Sequence, residues 1–246
     1  MKVLAIGAHP DDVEILCAGT LKRLHDRGHA IAIATVTNGS CGSATLSAEE
    51  IAGVRRKEAA DAARIIDAEY HCADLCDLEI VFDNDTRRLV SELFRVVQPE
   101  IVITHYPQDY IYDHDMTSML ARDATFSATL GNYSTGAADP APLLPHVPYL
   151  YYMSPIDGVT PFGAAVEYQF IVDITDTIET KAEMLACHES QREWLRAQHD
   201  MDEYIEYMRR DSARIGAISG YAYGEGFQQH LGHPYKRDNI ILDLLT

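Results

Sequence analysis

The stretch Lys2-Val3-Leu4-Ala5-Ile6-Gly7-Ala8-His9-Pro10-Asp11-Asp12-Val13-Glu14 decides how the chain is read. Lys2 to Gly7 is a short apolar run that stops at a glycine, the pattern of a strand buried on both faces. Apolar spacing from Val13 to Arg27 then predicts a helix ending near Gly28. Between the two, an imidazole and two carboxylates follow directly on a strand placed to be central. Buried carboxylates need a partner or a cation to offset lost hydration, so this trio points to a metal rather than to core filler. A dinucleotide site at the same turn would carry GxGxxG, and no such fingerprint follows this strand.

Working outward, Ala30 to Val36 reads as a second strand and Ala48 to Asp67, alanine-rich with charges on one side, as a surface helix. Residues around Tyr70 form a third strand, Thr86 to Val97 a helix that Pro99 ends, Ile101 to Thr104 a fourth strand, and Met116 to Leu130 its following helix. Strands alternating with helices predict right-handed crossovers and a mostly parallel α/β sheet covered on both faces. In the order 3-2-1-4, strands one and four are neighbours, and the loops after them part to leave a crevice. Gly131 to Pro148 reads as an extended surface loop and a candidate lid. Beyond it, Tyr149 to Met153 and Tyr168 to Val172 read as strands, and Thr177 to Glu189 and Asp202 to Ile215 as helices. The turn-rich, aromatic remainder from Gly220 is expected to border a pocket. The expectation is a single domain over 1–246, with a core over about 1–130 that residues 131–246 complete.

A second cluster, His105-Tyr106-Pro107-Gln108-Asp109-Tyr110-Ile111-Tyr112-Asp113-His114-Asp115, follows the fourth strand with two histidines and three carboxylates. Two imidazoles and a carboxylate at one open site suit zinc, although other divalent ions compete for such ligands. One ligand must come from this second loop, and His105 is read as structural.

Bulk properties narrow the partners. Twenty Lys and Arg against 38 Asp and Glu give a formal net charge of −18, which repels a nucleic-acid backbone. Five cysteines, without a CxxC pair or scaffold spacing, read as reduced thiols. The opening MKVLAIGAHPDD turns acidic too soon for a signal peptide or a membrane span, so a cytoplasmic protein is expected. A homo-oligomer stays open.

At its two loops the chain resembles the LmbE-like, or PIG-L, family of zinc-dependent N-deacetylases, which carry an AHPDD loop and a later DH element. Here these are residues 8–12 and Asp113-His114. Thr37-Asn38-Gly39 with Gly42, Arg55 through Glu58, Val172-Asp173-Ile174 with Lys181, Ser190-Gln191, and Tyr223 with Glu225-Gly226-Phe227 extend the likeness over nearly the whole chain. The resemblance implies a Rossmann-like three-layer sandwich with the metal at the C-terminal ends of strands one and four. It implies His9, Asp12 and His114 as zinc ligands and Asp11 as the general base for water attacking an amide carbonyl. Asp113 is expected to orient His114, since a ligating imidazole usually donates its other N–H to a carboxylate.

One position departs from the family pattern. Many members have a histidine three residues before the last ligand, where this chain has Ile111, which can neither protonate an amine nor stabilise an oxyanion. His230 and His233 are the candidates to replace it, from this chain or from a neighbouring subunit. Arg55, Asp109 and Tyr110, with Tyr112, are candidates for substrate contact. Trp194, with Ser190 to Glu193, reads as helix packing and a solvated face. The leading function is removal of an N-acyl, normally N-acetyl, group from an amino sugar or its conjugate. The alternatives are an amidase of a thiol conjugate or other non-sugar amide, and a non-catalytic metal- or ligand-binding module, which the retention of Asp11 opposes.

Overall fold

A computed structural model describes residues 1–192 and 204–246. Trp194, His199 and the expected helix start at Asp202 lie outside the described residues. Seven strands form one sheet: β1 (Lys2–Gly7), β2 (Ala30–Thr37), β3 (Glu69–Leu75), β4 (Ile101–Thr104), β5 (Tyr149–Met153), β6 (Phe170–Asp173) and β7 (Gly224–Gln229). Their order is β3-β2-β1-β4-β5-β7-β6, parallel from β3 to β5, with β7 antiparallel to both β5 and β6. The Rossmann-like α/β architecture and the 3-2-1-4 core therefore stand as read.

The period of two along β1 splits the core into two layers. Val3 and Ala5 pack with Leu21, Leu24 and Ile33 on one face, and Leu4 and Ile6 pack with Ala32, Val36, Phe94 and Leu120 on the other. The second face is covered by α4 (Asn84–Val97) and α5 (Tyr112–Ser127). The first is covered by α1 (Asp12–Leu16), α2 (Ala18–Asp26), α6 (Ile178–Ala186) and α7 (Tyr204–Ile218), while α3 (Ala48–Arg64) flanks β3 and α6. A final helix, α8 (Ile240–Leu245), closes against α2.

Four differences from the sequence reading have identifiable physical causes. The helix expected from Val13 to Arg27 is broken at Cys17, whose φ of −147° is not helical. It restarts because the carboxylate of Glu225 accepts from Gly19 N at 2.9 Å and Thr20 N at 2.7 Å, satisfying two amides that a new helix leaves open. Second, α5 begins at Tyr112, four residues before the predicted start, because its first turn is built from polar residues without apolar periodicity. Third, the turn-rich tail contains β7. A Cβ at Gly224 would lie 2.8 Å from the Gly216 backbone, and one at Gly226 would lie 2.5 Å from the Tyr168 ring, so glycine is needed for close approach rather than for turning. Fourth, the loop over 131–148 is no lid. Glu92 accepts from Thr135 and Ala141, Arg95 donates to the carbonyls of Leu130 and Tyr133, and Leu144 N donates to Ala128 O, which ties it to the ends of α4 and α5 away from the strand C-termini.

Glu225 also pairs with Lys181 at 2.7 Å, both side chains being 1% exposed. Removing one member of such a buried pair leaves a charge without compensation. Glu225→Ala is expected to destabilise the fold by about 3–5 kcal/mol, read from urea unfolding curves.

Candidate metal centre and active site

The loops after β1 and β4 meet because those strands are adjacent and in parallel register, Ile6 opposite Thr104. Thr37, at the end of β2, holds the first loop by donating its amide and hydroxyl to Ala8 O at 2.8 and 2.9 Å. Asp12 is buried at the centre. Its Oδ2 accepts from His9 N at 2.7 Å and faces His9 Nδ1 at 3.5 Å, and its Oδ1 faces His114 Nε2 at 3.3 Å. A four-coordinate divalent ion with bonds near 2 Å separates its ligand atoms by roughly 3.3 Å, so these spacings suit one. Among the described residues, His9, Asp12 and His114 offer donor atoms all within 4.8 Å of one another. His114 Nε2 is buried without a hydrogen-bond partner, an orphaned lone pair or proton that a cation would satisfy.

Each of the two imidazoles has its own carboxylate behind it. His9 Nε2 lies 3.1 Å from Asp113 Oδ2, which also accepts from Leu78 N at 2.7 Å. His114 Nδ1 lies 2.8 Å from Asp109 Oδ2. Two expectations change accordingly: Asp113 backs His9 rather than His114, and Asp109, 3% exposed, stands behind a histidine instead of facing substrate. The reason is helical geometry. With α5 starting at Tyr112, Asp113 and His114 diverge on the first turn, while Asp109 is pinned by Asp115 Oδ1 accepting its amide at 2.7 Å. His105 is closer to the site than its structural reading implied. It stacks on His114 with ring centroids 3.8 Å apart, and its Nε2 lies 2.9 Å from Ala8 N and 3.1 Å from Asp12 Oδ2. With Asp109 and His114 it makes a second, fully buried group within the same distance limit.

Asp11 adjoins the centre at φ 117°, a conformation that a non-glycine residue adopts only under constraint. Its Oδ2 accepts from Arg55 at 3.1 Å and from the Tyr204 hydroxyl at 2.7 Å. Burial pushes its carboxyl above the usual range, against the pull of Arg55. Arg55, expected at the substrate, is 3% exposed and turned to Asp11 and to Pro10 O. Tyr110 is 66% exposed with its ring edge against His114, at the mouth.

His230 and His233 are not brought to this site within the chain. His230 N donates to Leu150 O, two residues back along β5 from Tyr152, the partner of Thr104. Its ring packs on Tyr235 and Tyr152, beside Arg122 and Phe126. Arg122 lies eight residues beyond His114, about 12 Å along α5. Tyr204 and the buried Glu14–His188 pair, 3.5 Å apart, are the polar groups near Asp11 that sequence reasoning missed; neither has a local pattern to mark it.

Fold and site together define a Rossmann-like α/β protein with a His–Asp–His group able to hold a metal at strand ends, beside an anchored carboxylate. The profile of the PIG-L family, GlcNAc-PI de-N-acetylase, matches residues 4–125. Diacetylchitobiose deacetylase of Thermococcus kodakarensis is 30% identical over 238 residues, covering 92% of this chain and 82% of that protein. The N,N'-diacetylchitobiose deacetylase structure from Pyrococcus horikoshii superimposes with a TM-score of 0.77 at 26% identity, over 97% of this chain and 88% of that one. A 4-carboxy-2-hydroxymuconate hydratase from Pseudomonas putida shares the fold, with a TM-score of 0.75 at 23% identity over 96% and 99% of the two chains. The chain belongs to the PIG-L family.

Without a metal, burial opposes charge on both imidazoles, yet Asp113 and Asp12 raise His9 to about 10, and Asp12 and Asp109 raise His114 to about 9. Metal uptake at pH 7 should therefore release about two protons, measured by calorimetry in buffers of different ionisation enthalpy. Because both values exceed the ordinary 6.5, the two imidazolium ions stabilise the metal-free fold fully below pH 6.5, and that stability is lost as pH rises through about 9 to about 10. The urea midpoint of metal-free protein should fall across that window. Asp109→Ala should weaken metal binding by about 10–100-fold, read from competition with a chromogenic chelator.

Proposed function

We propose that this chain is a zinc-dependent hydrolase that removes an N-acetyl group from an amino sugar or amino-sugar conjugate. The observation that carries the reading is the placement of Asp11 beside the His9, Asp12 and His114 group, in a chain similar over nearly its whole length to a diacetylchitobiose deacetylase. Three nitrogen and oxygen ligands suit zinc, with positions left for water and substrate. When bound, the ion acidifies water and polarises a carbonyl oxygen.

The protein's own residues do the rest. His9, Asp12 and His114 hold the ion, and Asp113 and Asp109 fix the two rings through their distal nitrogens. Asp11, whose carboxyl burial holds above the usual range, accepts the proton of the attacking water. With isoleucine at position 111 and the His230 ring held against Tyr152 and Tyr235 rather than turned to Asp11, the same carboxyl hands that proton to the leaving amine. Tyr110 offers an exposed ring at the mouth on which a sugar face can lie. The 246 residues act as one domain, since β5 to β7 and α7 complete the sheet and site begun by β1 to β4. Five free cysteines suit a reducing compartment such as the cytoplasm.

Ile111 is the observation that favours a non-catalytic metal-binding module, and one variant separates the two readings. Asp11→Asn should keep metal at wild-type stoichiometry and lose about 10²–10⁴-fold in kcat. The assay is elemental analysis together with amine release from N-acetylglucosamine, diacetylchitobiose, an N-acetylated cysteine conjugate and a simple non-sugar amide. Release confined to the non-sugar amides would replace the sugar assignment, and metal binding without any amine release would end the hydrolase reading.

A further inference from the structure

We infer that Tyr204, at the start of α7, is a positioning residue for Asp11, and that together with Arg55 it occupies one carboxylate oxygen so that the other is left to exchange protons. The inference rests on the hydrolase reading above. Tyr204 and Arg55 both donate to Oδ2, at 2.7 and 3.1 Å, and no described residue donates to Oδ1. All three side chains are buried, with 7%, 3% and 7% exposure for Tyr204, Arg55 and Asp11.

Two donors reaching one oxygen from separate elements, α3 and α7, fix the rotation of the carboxylate about its Cβ–Cγ bond. Exchange of Oδ1 for Oδ2 would break both bonds at once in a buried site. The backbone beneath is held as well, because Arg55 also donates to Pro10 O, next to the constrained φ of Asp11. Arg55 in turn has little freedom. A Cβ at Gly39 would lie 2.5 Å from its Cδ, and one at Gly42 would lie 2.7 Å from Nη1, so the two glycines of the β2 loop make the channel it crosses. One turn further along α3, Glu58 accepts from Ser190 N and Oγ at 2.9 and 2.6 Å and ties that helix to the segment after α6.

A phenol whose ordinary pKa is near 10 stays a donor across the working pH range, which suits a residue that holds a base without competing for its proton. The Tyr204 hydroxyl therefore acts through Asp11 and needs no contact with substrate.

Tyr204→Phe removes one oxygen and keeps the ring. In metal-loaded protein, kcat should fall roughly 10–100-fold with KM within about twofold and metal stoichiometry unchanged. Apart from turnover, the urea midpoint of the full chain at one fixed metal concentration should drop on Tyr204→Phe when Asp11 is present, and should not drop further in an Asp11→Ala background. Wild-type kcat in Tyr204→Phe, or midpoint changes that simply add, would overturn the clamp. So would a joint loss of metal, stability and KM, which marks a packing residue. If wild-type protein released no amine, the hydrolase reading would fail while the midpoints still judged the Tyr204–Asp11 contact.

Discussion

The carboxylate of Asp12, buried where β1 and β4 end, is the constraint to which the rest of the site answers. It accepts the amide of His9 and lies within about ion-pair distance of three imidazoles. Burial alone would raise its pKa, but His114 and His105 hold it well below the usual carboxylate range, so it stays an anion in a place water barely reaches. An anion there requires positive charge, from imidazolium protons or from a cation. The exchange of one for the other couples metal binding to pH.

Charge compensation continues outward in layers. Asp113 and Asp109 stand behind His9 and His114, and the Leu78 and Tyr110 amides donate in turn to those carboxylates at 2.7 Å each. On the opposite side Arg55 and Tyr204 engage Asp11, while Asp77 closes the β2 loop by accepting from Gly39 N and Cys41 N at 2.9 Å each. Such networks fix geometry, and the partner they leave open, at His114 Nε2, is where a cation would complete them. The same logic governs Glu225 far from the metal, where one carboxylate neutralises Lys181 and starts α2.

Ile111 leaves the family's usual acid unfilled, and neither His230 nor His233 comes to the centre from within the chain. That placement follows from strand direction: β7 runs antiparallel to β5, so residues after Gln229 travel away from the C-terminal ends of β4 and β5. A sequence position shortly after a family-like Gly-Phe pair gives no hint of this direction, because direction is set by pairing with β5 and β6. The same limit applies to Tyr204, whose partner is 193 residues away.

The sequence by itself determined the parallel core, the position of β1 at its centre, and the concentration of histidine and carboxylate in the loops after β1 and β4. These are local properties: apolar period, glycine stops, and the cost of charge at a buried strand end. Only the tertiary structure decided which carboxylate backs which histidine, which oxygen of Asp11 is anchored, where α2 begins, and that a glycine-rich segment is a strand. Each of those depends on groups between 5 and 206 residues apart meeting within hydrogen-bond distance or close contact, and neither periodicity nor spacing encodes such meetings.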